Sequence, residues 1–173
     1  MRHTVRLLAA LAFTLPSTFV TAAPLTAAPQ PAKPVEISRY MGEWFEIARL
    51  HNRIEESCVS ARSSYSQDTD GKIVAFQYCN KPGGGASVYH ATVSILDPPA
   101  NAKLRLSFFP LISKEYWVLD HAPDYAWAIV GTKEGKYLWL FTRQAHPSAA
   151  EKAAIVARAE ALGYDTSKLI YPQ

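Results

Sequence analysis

The sequence lacks the short motifs that mark many enzyme active sites. It has no Gly-x-Ser-x-Gly, no phosphate-binding loop and no Gly-x-Gly-x-x-Gly, which argues against a hydrolase of that type and against nucleotide- or dinucleotide-binding enzymes. Its five histidines are scattered, and no pair has metal-ligand spacing on one predicted element. We therefore predict no metal site and no cofactor.

Neither sign of charge is in marked excess. The chain has 18 basic and 15 acidic residues, and removal of an N-terminal signal segment with Arg2 and Arg6 would leave 16 basic residues. A net charge of about +1 predicts no nucleic-acid partner, because such partners need a basic surface.

Long apolar runs are absent outside the N-terminus. Residues 1–22 combine a basic start, a mostly apolar stretch from Leu7 to Val20, and small residues at Val20-Thr21-Ala22 where cleavage can occur. A transmembrane helix is the alternative, but the apolar run is short and is broken by Pro16. We predict a signal peptide over residues 1–22.

Residues 23–35 are rich in proline and alanine. This composition is typical of a disordered or polyproline-like spacer, and it leaves one folded domain over residues 36–173. No cysteine occurs before Cys58, so no residue can carry a lipid at the cleavage site. The exported protein is therefore predicted to be soluble, in the periplasm or secreted.

The chain has two cysteines, Cys58 and Cys79. They flank a predicted hairpin whose turn, Asp68-Thr69-Asp70-Gly71, lies near their midpoint, so both can reach the same end of a strand pair. An even cysteine count in an exported chain favours a disulfide. A free, reactive thiol is the alternative.

Short β-rich runs separated by turn residues fill the chain from Gly42 onward. Their hairpin-like connections favour a meander, and hence an up-and-down barrel over a sandwich. The order of elements does not fit a Rossmann or an immunoglobulin fold. The predicted strands are 42–50, 59–67, 72–80, 87–96, 102–109, 114–120, 125–131 and 137–143.

One strong helix follows the eighth predicted strand. Ser148 and Glu151 form a Ser-x-x-Glu capping box, and Gly163 ends the apolar stripe behind it. A short strand is predicted at residues 169–171. The predicted fold class is all-β: an eight-stranded antiparallel up-and-down barrel with one C-terminal α-helix.

Two sequence features lie on the first and the eighth predicted strands. Gly42-x-Trp44 opens the first strand, and the eighth strand ends in Arg143. Together with the strand count and the late helix, they resemble the lipocalin family over residues 40–173. The resemblance implies a calyx whose floor is closed by the arginine lying across the tryptophan, a cation–π contact. Gly42, Trp44 and Arg143 are then structural residues.

Three segments resemble one branch of the family in particular. Residues 104–109, 120–131 and 137–139 look like those of the bacterial lipocalins and their apolipoprotein D relatives. The family's Thr-Asp-x-x-Tyr turn is matched only loosely, with Asp120 and Tyr125 as its counterparts. Many bacterial members look like lipoproteins, and this chain departs from them by lacking the N-terminal cysteine.

Alternation along the strands predicts the lining of the barrel, because residues two apart share a face. Arg143 must reach Trp44, which fixes the inward face of the eighth strand. The lining is apolar and aromatic with a few phenol hydroxyls, and it suits an acyl chain, unless the aromatic rings fill the barrel themselves. The predicted ligand-binding residues are Ala91, Val93, Leu104, Leu106, Phe108, Tyr116, Val118, Tyr137, Trp139 and Phe141.

The predicted cavity also involves two charged residues, one in the first strand and one just after it. Arg53 lies in the loop after that strand, where the family has its large loop over the calyx mouth. It either meets an anionic headgroup or is a solvated loop charge. Glu46 shares the alternation of Trp44, and a carboxylate inside a barrel is costly unless it is paired.

The resemblance implies an exported binding protein rather than an enzyme. It would carry or store a small hydrophobic ligand, such as a fatty acid or lysophospholipid, in the cell envelope. The alternative is a calyx enzyme acting on a lipid or pigment, for which Glu46 and the tyrosines at 116 and 137 are the ionisable candidates. A homodimer and a transient contact with a membrane surface stay open as further partners.

Overall fold

The computed structural model describes residues 25–109 and 111–172, so the predicted signal peptide over residues 1–22 lies outside the described residues. A short 3-10 helix, Thr166–Lys168, precedes the last strand. The remaining elements are α1 (Ile37–Tyr40), β1 (Gly42–Leu50), β2 (Ser60–Gln67), β3 (Ile73–Asn80), β4 (Ala86–Ile95), β5 (Lys103–Phe109), β6 (Ile112–His121), β7 (Trp127–Thr132), β8 (Leu138–Thr142), α2 (Ala149–Ala161) and β9 (Leu169–Ile170).

The sheet closes on itself. Each strand from β1 to β7 pairs antiparallel with the next, and β8 pairs antiparallel with β1. The two-residue strand β9 adds to β1 near its end. Closure satisfies the backbone hydrogen bonds that an open sheet would leave at its edges. The predicted eight-stranded up-and-down barrel with one C-terminal helix is confirmed.

Up-and-down connectivity gives the barrel two distinct ends. The β1–β2, β3–β4, β5–β6 and β7–β8 connections lie at one end, which we call the mouth. The other turns and helix α1 lie at the opposite end, which we call the floor. The β1–β2 connection, residues 51–59, is the longest of the mouth connections.

Strand β1 contains an irregularity that controls what faces inward. Its register with β8 shifts between Glu46 and Ala48, so Glu46 pairs with Phe141 while Arg49 pairs with Trp139. Directly paired residues share a face of the sheet, and both aromatic partners belong to the interior cluster. Glu46 and Arg49 therefore both face the barrel interior, although they are three positions apart.

The buried apolar residues form two clusters on opposite faces of the sheet. One fills the lower barrel around Trp44, and the other lies outside, between the sheet and α2. Helix α2 begins with the predicted capping box: the Ser148 hydroxyl accepts from the Glu151 backbone N–H, and the Glu151 carboxylate accepts from the Ser148 backbone N–H. Its buried face, with Ile155 and Ala159, packs on the outer cluster.

Residues 25–35 differ from the predicted disordered spacer, because they pack against the barrel, with Ala28 in the outer cluster and Val35 in the interior one. Ala28 and Val35 are buried, and Gly135 leaves room for this segment, since a Cβ there would lie 2.7 Å from the Ala27 backbone. The prolines lack N–H groups, but residues between and directly after them donate to the barrel. These bonds run from Ala28 to Lys133 O (3.0 Å), from Ala32 to Leu119 O (2.7 Å) and from Val35 to Ala100 O (2.8 Å).

Candidate ligand-binding cavity

The barrel holds a cavity of about 450 Å³ that opens at the mouth. Its size lies within the range of pockets that hold small molecules. Aromatic and aliphatic side chains make up most of its wall, and the polar and charged members are Asn52, Arg53, Glu55, Ser63 and Gln77. The wall is formed by Asn52, Arg53, Ile54, Glu55, Ser63, Tyr65, Gln77, Tyr78, Cys79, Tyr89, Leu106, Phe108, Phe109, Ile112, Tyr116, Val130, Trp139 and Phe141.

The structure divides the predicted ligand-binding residues into two groups. Those in the cavity wall are Arg53, Leu106, Phe108, Tyr116, Trp139 and Phe141. The others pack in the interior cluster without lining the cavity: Ala91, Val93, Leu104, Val118 and Tyr137. Leu104 and Val118 lie further from the β5–β6 turn than Leu106 and Tyr116, and so closer to the floor, where side chains fill the barrel.

Strands β2 and β3 contribute wall residues that alternation did not predict. Ser63 and Tyr65 come from β2, and Gln77 from β3. The Ser63 hydroxyl donates to Gln77 Oε1 at 2.6 Å, which joins the two strands inside the cavity. Burial raises the pKa of Tyr65 to about 12 and also raises that of Tyr116, so both phenols stay protonated at neutral pH.

The floor is closed by Trp44 and Arg143. The Trp44 ring is fully buried, and the Arg143 guanidinium carbon lies 3.6 Å from its centroid. Arg143 also donates from Nη1 to Glu43 O at 2.6 Å and from Nη2 to Met41 O at 2.8 Å. Gly42 has φ +93°, and a Cβ there would lie 3.3 Å from Arg143 Nη1, so glycine suits both the backbone and the contact.

Asp120 anchors the N-terminal segment and α2 to the barrel. Its buried carboxylate lies 3.0 Å from Lys33 Nζ and forms an ion pair with Arg158. Burial acts to raise the pKa of Asp120, but the hydrogen bonds from Arg158 and Lys33 hold it below the usual value.

Tyr125 holds the sixth-to-seventh turn to helix α1. It sits at φ +62°, and its hydroxyl accepts from the Glu36 N–H at 2.7 Å. Its ring stacks on His121 with 4.3 Å between centroids, and Arg39 lies over the ring. The structure therefore places both residues of the loosely matched turn in contacts that join elements, away from the cavity.

A buried polar cluster lies beside the cavity at the mouth end. Arg49 Nη1 donates to Glu46 Oε1 at 2.6 Å, and Arg49 Nη2 donates to the carbonyls of Glu55 and Cys58. Burial, with the nearby Glu55 charge, raises the pKa of Glu46 to about 8 against the opposing effect of Arg49. Glu46 is thus paired, and it does not line the cavity.

Cys58 and Cys79 form the predicted disulfide, with Cα atoms 5.2 Å apart. The bridge ties the β1–β2 loop to the end of β3.

Within residues 25–109 and 111–172, no group of three or more His, Cys, Asp or Glu side chains could hold a metal ion. None of the helices in the described part of the chain is long and apolar enough to cross a membrane.

A closed antiparallel barrel with an apolar cavity open at its mouth is the architecture of a calyx for small hydrophobic molecules. The family model for the lipocalin-like domain matches residues 35–173. Temperature-induced lipocalin-1 of Arabidopsis thaliana is 34% identical over 150 residues, covering 79% of this chain and 78% of that protein. Outer membrane lipoprotein Blc of Escherichia coli (strain K12) is 30% identical over 139 residues, covering 80% and 78%. The chain belongs to the lipocalin family.

The solved structures agree on the fold. Insecticyanin from the tobacco hornworm Manduca sexta matches with a TM-score of 0.66 at 20% sequence identity, and the match covers 83% of each chain. At this identity the likeness concerns the fold alone. Lipocalins are in general binding and transport proteins for small hydrophobic ligands.

Proposed function

We propose that this protein carries or stores a single-chain lipid, such as a fatty acid or lysophospholipid, in its calyx within the cell envelope. The observation that carries the proposal is the apolar, aromatic cavity of about 450 Å³ above a sealed floor. A cavity open at one end and closed at the other favours an elongated ligand that enters chain first. The bacterial relatives named as outer membrane lipoproteins support an envelope role.

The energetics allow useful affinity without many specific contacts. Burying an acyl chain contributes about 0.8 kcal/mol per methylene, so a dozen methylenes give about 10 kcal/mol before other costs. The loss of translational and rotational freedom removes several kcal/mol of this. Micromolar binding remains, which is sufficient for a carrier that must also release its ligand.

Export is part of the proposal and rests on residues 1–22, whose pattern is that of a secretory signal. The disulfide between Cys58 and Cys79 supports it, since structural disulfides persist in oxidising compartments. We place the protein in the periplasm or outside the cell, and fractionation of cells that express the full chain tests this placement.

The rim of the mouth supports a transient contact with a membrane surface. Phe109, Ile112 and Ile54 are exposed and also line the cavity, and Leu111 at the tip of the β5–β6 turn is 98% exposed. The apolar rim is therefore continuous with the cavity wall. A lipid could pass from a bilayer into the calyx along this surface with little of its chain exposed to water. A second copy of the chain is the other occupant that this rim could accept.

Lipid extraction and native mass spectrometry of the protein purified from its own envelope test the carrier function. We expect a co-purified lipid on the wild type and on Val88→Trp, which adds an indole at an exposed position of β4. Leu106→Trp adds the same ring inside the cavity and should remove the lipid. A folded Leu106→Trp protein that keeps the same lipid, or a wild type without any, would contradict the proposal.

A further inference from the structure

Glu55 lines the cavity at the mouth of the barrel, and it does so from a loop rather than a strand. It belongs to the β1–β2 connection, yet its carboxylate accepts a hydrogen bond of 2.7 Å from the indole Nε1 of Trp139 on β8. Both residues line the cavity. The carboxylate thus stands at the mouth end of the space where the proposed ligand would lie.

Three donors converge on one oxygen of this carboxylate. Glu55 Oε2 accepts from Trp139 Nε1 and from Asn52 Nδ2, the latter at 2.5 Å, and it lies 3.9 Å from Arg49 Nε. Arg49 Nε is buried and has no hydrogen-bond partner within the described part of the chain. Two N–H donors and a buried guanidinium around one point form a site for an anionic oxygen.

The strands hold two of these donors in place, independently of the Glu55 side chain. Trp139 lies in β8, paired with Arg49 in β1. The Arg49 guanidinium is fixed from the other side by Glu46 Oε1 at 2.6 Å and by the carbonyl of Cys58 at 3.1 Å. An anion site would therefore persist if the Glu55 carboxylate moved out.

The Glu55 side chain is suited to such a movement. The side chains of Arg53, Ile54 and Glu56 are exposed, so little apolar packing holds this part of the loop to the barrel. The Glu55 side chain itself is 17% exposed. Displacing the carboxylate alone would cost its hydrogen bonds from Trp139 and Asn52, which an incoming anion would make again at the same donors.

We propose that Arg49, Asn52 and Trp139 form a headgroup site for an anionic amphiphile, and that Glu55 occupies this site as an internal competitor in the unliganded protein. This inference rests on the proposed carrier function and names its ligand class: a single chain bearing a carboxylate or a phosphate. The ligand head displaces the Glu55 carboxylate and takes its hydrogen bonds, while the chain fills the apolar cavity behind it.

Calorimetric titration with three ligands of equal chain length tests the site: dodecanoate, dodecyl phosphate and neutral dodecan-1-ol. In Glu55→Ala we expect the affinity for at least one anionic ligand to rise by about tenfold, roughly the effect of one charge-assisted hydrogen bond. Affinity for dodecan-1-ol should change less than about twofold, because it lacks the charge. The anion that gains more distinguishes a carboxylate from a phosphate headgroup.

Matched variants separate this site from a general effect on the loop. Glu56→Ala removes the neighbouring, 69% exposed carboxylate and should leave all three affinities unchanged. Trp139→Phe combined with Glu55→Ala should reduce the anion gain, since it removes one donor and keeps an aromatic ring. Glu55→Gln, which keeps the loop contacts with an amide, should give a smaller gain and replaces Glu55→Ala if that variant does not fold.

Two outcomes would overturn the site while leaving the carrier function intact. One is an equal change for anionic and neutral ligands, which would mean that the loop only opens. The other is a loss of anion affinity in Glu55→Ala and Glu55→Gln. If neither neutral nor anionic ligands bind any variant, the carrier function itself fails.

Discussion

Replacing Glu46 by Gln should change how the stability of the protein depends on pH. Burial, with Glu55 nearby, raises the pKa of the Glu46 carboxyl from 4.5 to about 8 in the folded protein, even though Arg49 lies 2.6 Å away. In the unfolded chain that carboxyl releases its proton near pH 4.5. Between these values the folded state holds a proton that the unfolded state has lost, so the free energy of unfolding falls as pH rises.

The magnitude follows from the difference between the two pKa values. One pKa unit corresponds to about 1.4 kcal/mol, so a rise from 4.5 to about 8 gives at most about 5 kcal/mol across the window. Gln resembles the protonated acid but cannot titrate. Glu46→Gln therefore abolishes the loss of the proton on unfolding that destabilises the wild type as pH rises. The variant should therefore match the wild type near pH 5 and become progressively more stable than it toward pH 8.

Urea unfolding at pH 5, 6, 7 and 8, followed by circular dichroism, measures this difference. Glu56→Gln is the control, because its carboxylate is mostly exposed and lies 3.8 Å from His51 Nε2. Its unfolding curve should track the wild type at every pH. If the gap between Glu46→Gln and the wild type stayed constant with pH, or widened toward acid, the assignment of a protonated Glu46 at neutral pH would be wrong.

Three further predictions concern the floor, the disulfide and the rim. Arg143→Met should lower the free energy of unfolding by about 2–3 kcal/mol, because the contact with Trp44 and the bonds to backbone carbonyls are lost together, and urea unfolding measures the loss. Reducing the bridge between Cys58 and Cys79, which closes a loop with a sequence separation of 21, should cost about 3 kcal/mol and lower the melting temperature without releasing bound lipid; release on reduction would show that the bridge shapes the cavity. Leu111→Ser should weaken binding to lipid vesicles several-fold in a sedimentation assay, whereas a change in the monomer–dimer equilibrium instead would assign the rim to a second copy.

The barrel could be predicted because its signals are local and repeated. Turn residues at short spacing, alternation in the middle strands and the Gly42, Trp44 and Arg143 set all point to the same closed sheet. The N-terminal segment was harder, because its proline-rich composition is that of a linker. Its order comes from N–H donors between the prolines, such as Ala28 and Ala32, that meet barrel carbonyls far away in sequence.

On the strands, the cavity wall could be predicted only where the inward face is apolar. Strands β5 and β8 present apolar residues on the inward face, so alternation identifies Leu106 and Phe141. Strand β2 instead carries serine on both faces around Tyr65, and hydropathy alone gives no sign of which face is inside. Its pairing with β3, which places Ser63 opposite Gln77, identifies that face only once the register is known.

The polar cluster at the mouth depends on a feature that alternation cannot supply. Strict alternation from Trp44 through Glu46 would turn Arg49 outward and leave the glutamate unpaired inside the barrel. The register shift between Glu46 and Ala48 reverses the facing of the residues after it and brings the guanidinium to the carboxyl. Because burying a lone carboxylate is so unfavourable, a charged residue predicted to face inward is itself a reason to look for such a bulge within the next few residues. Here the same bulge also positions Arg49 beside Glu55, so the proposed headgroup site exists only because the strand is irregular at this point.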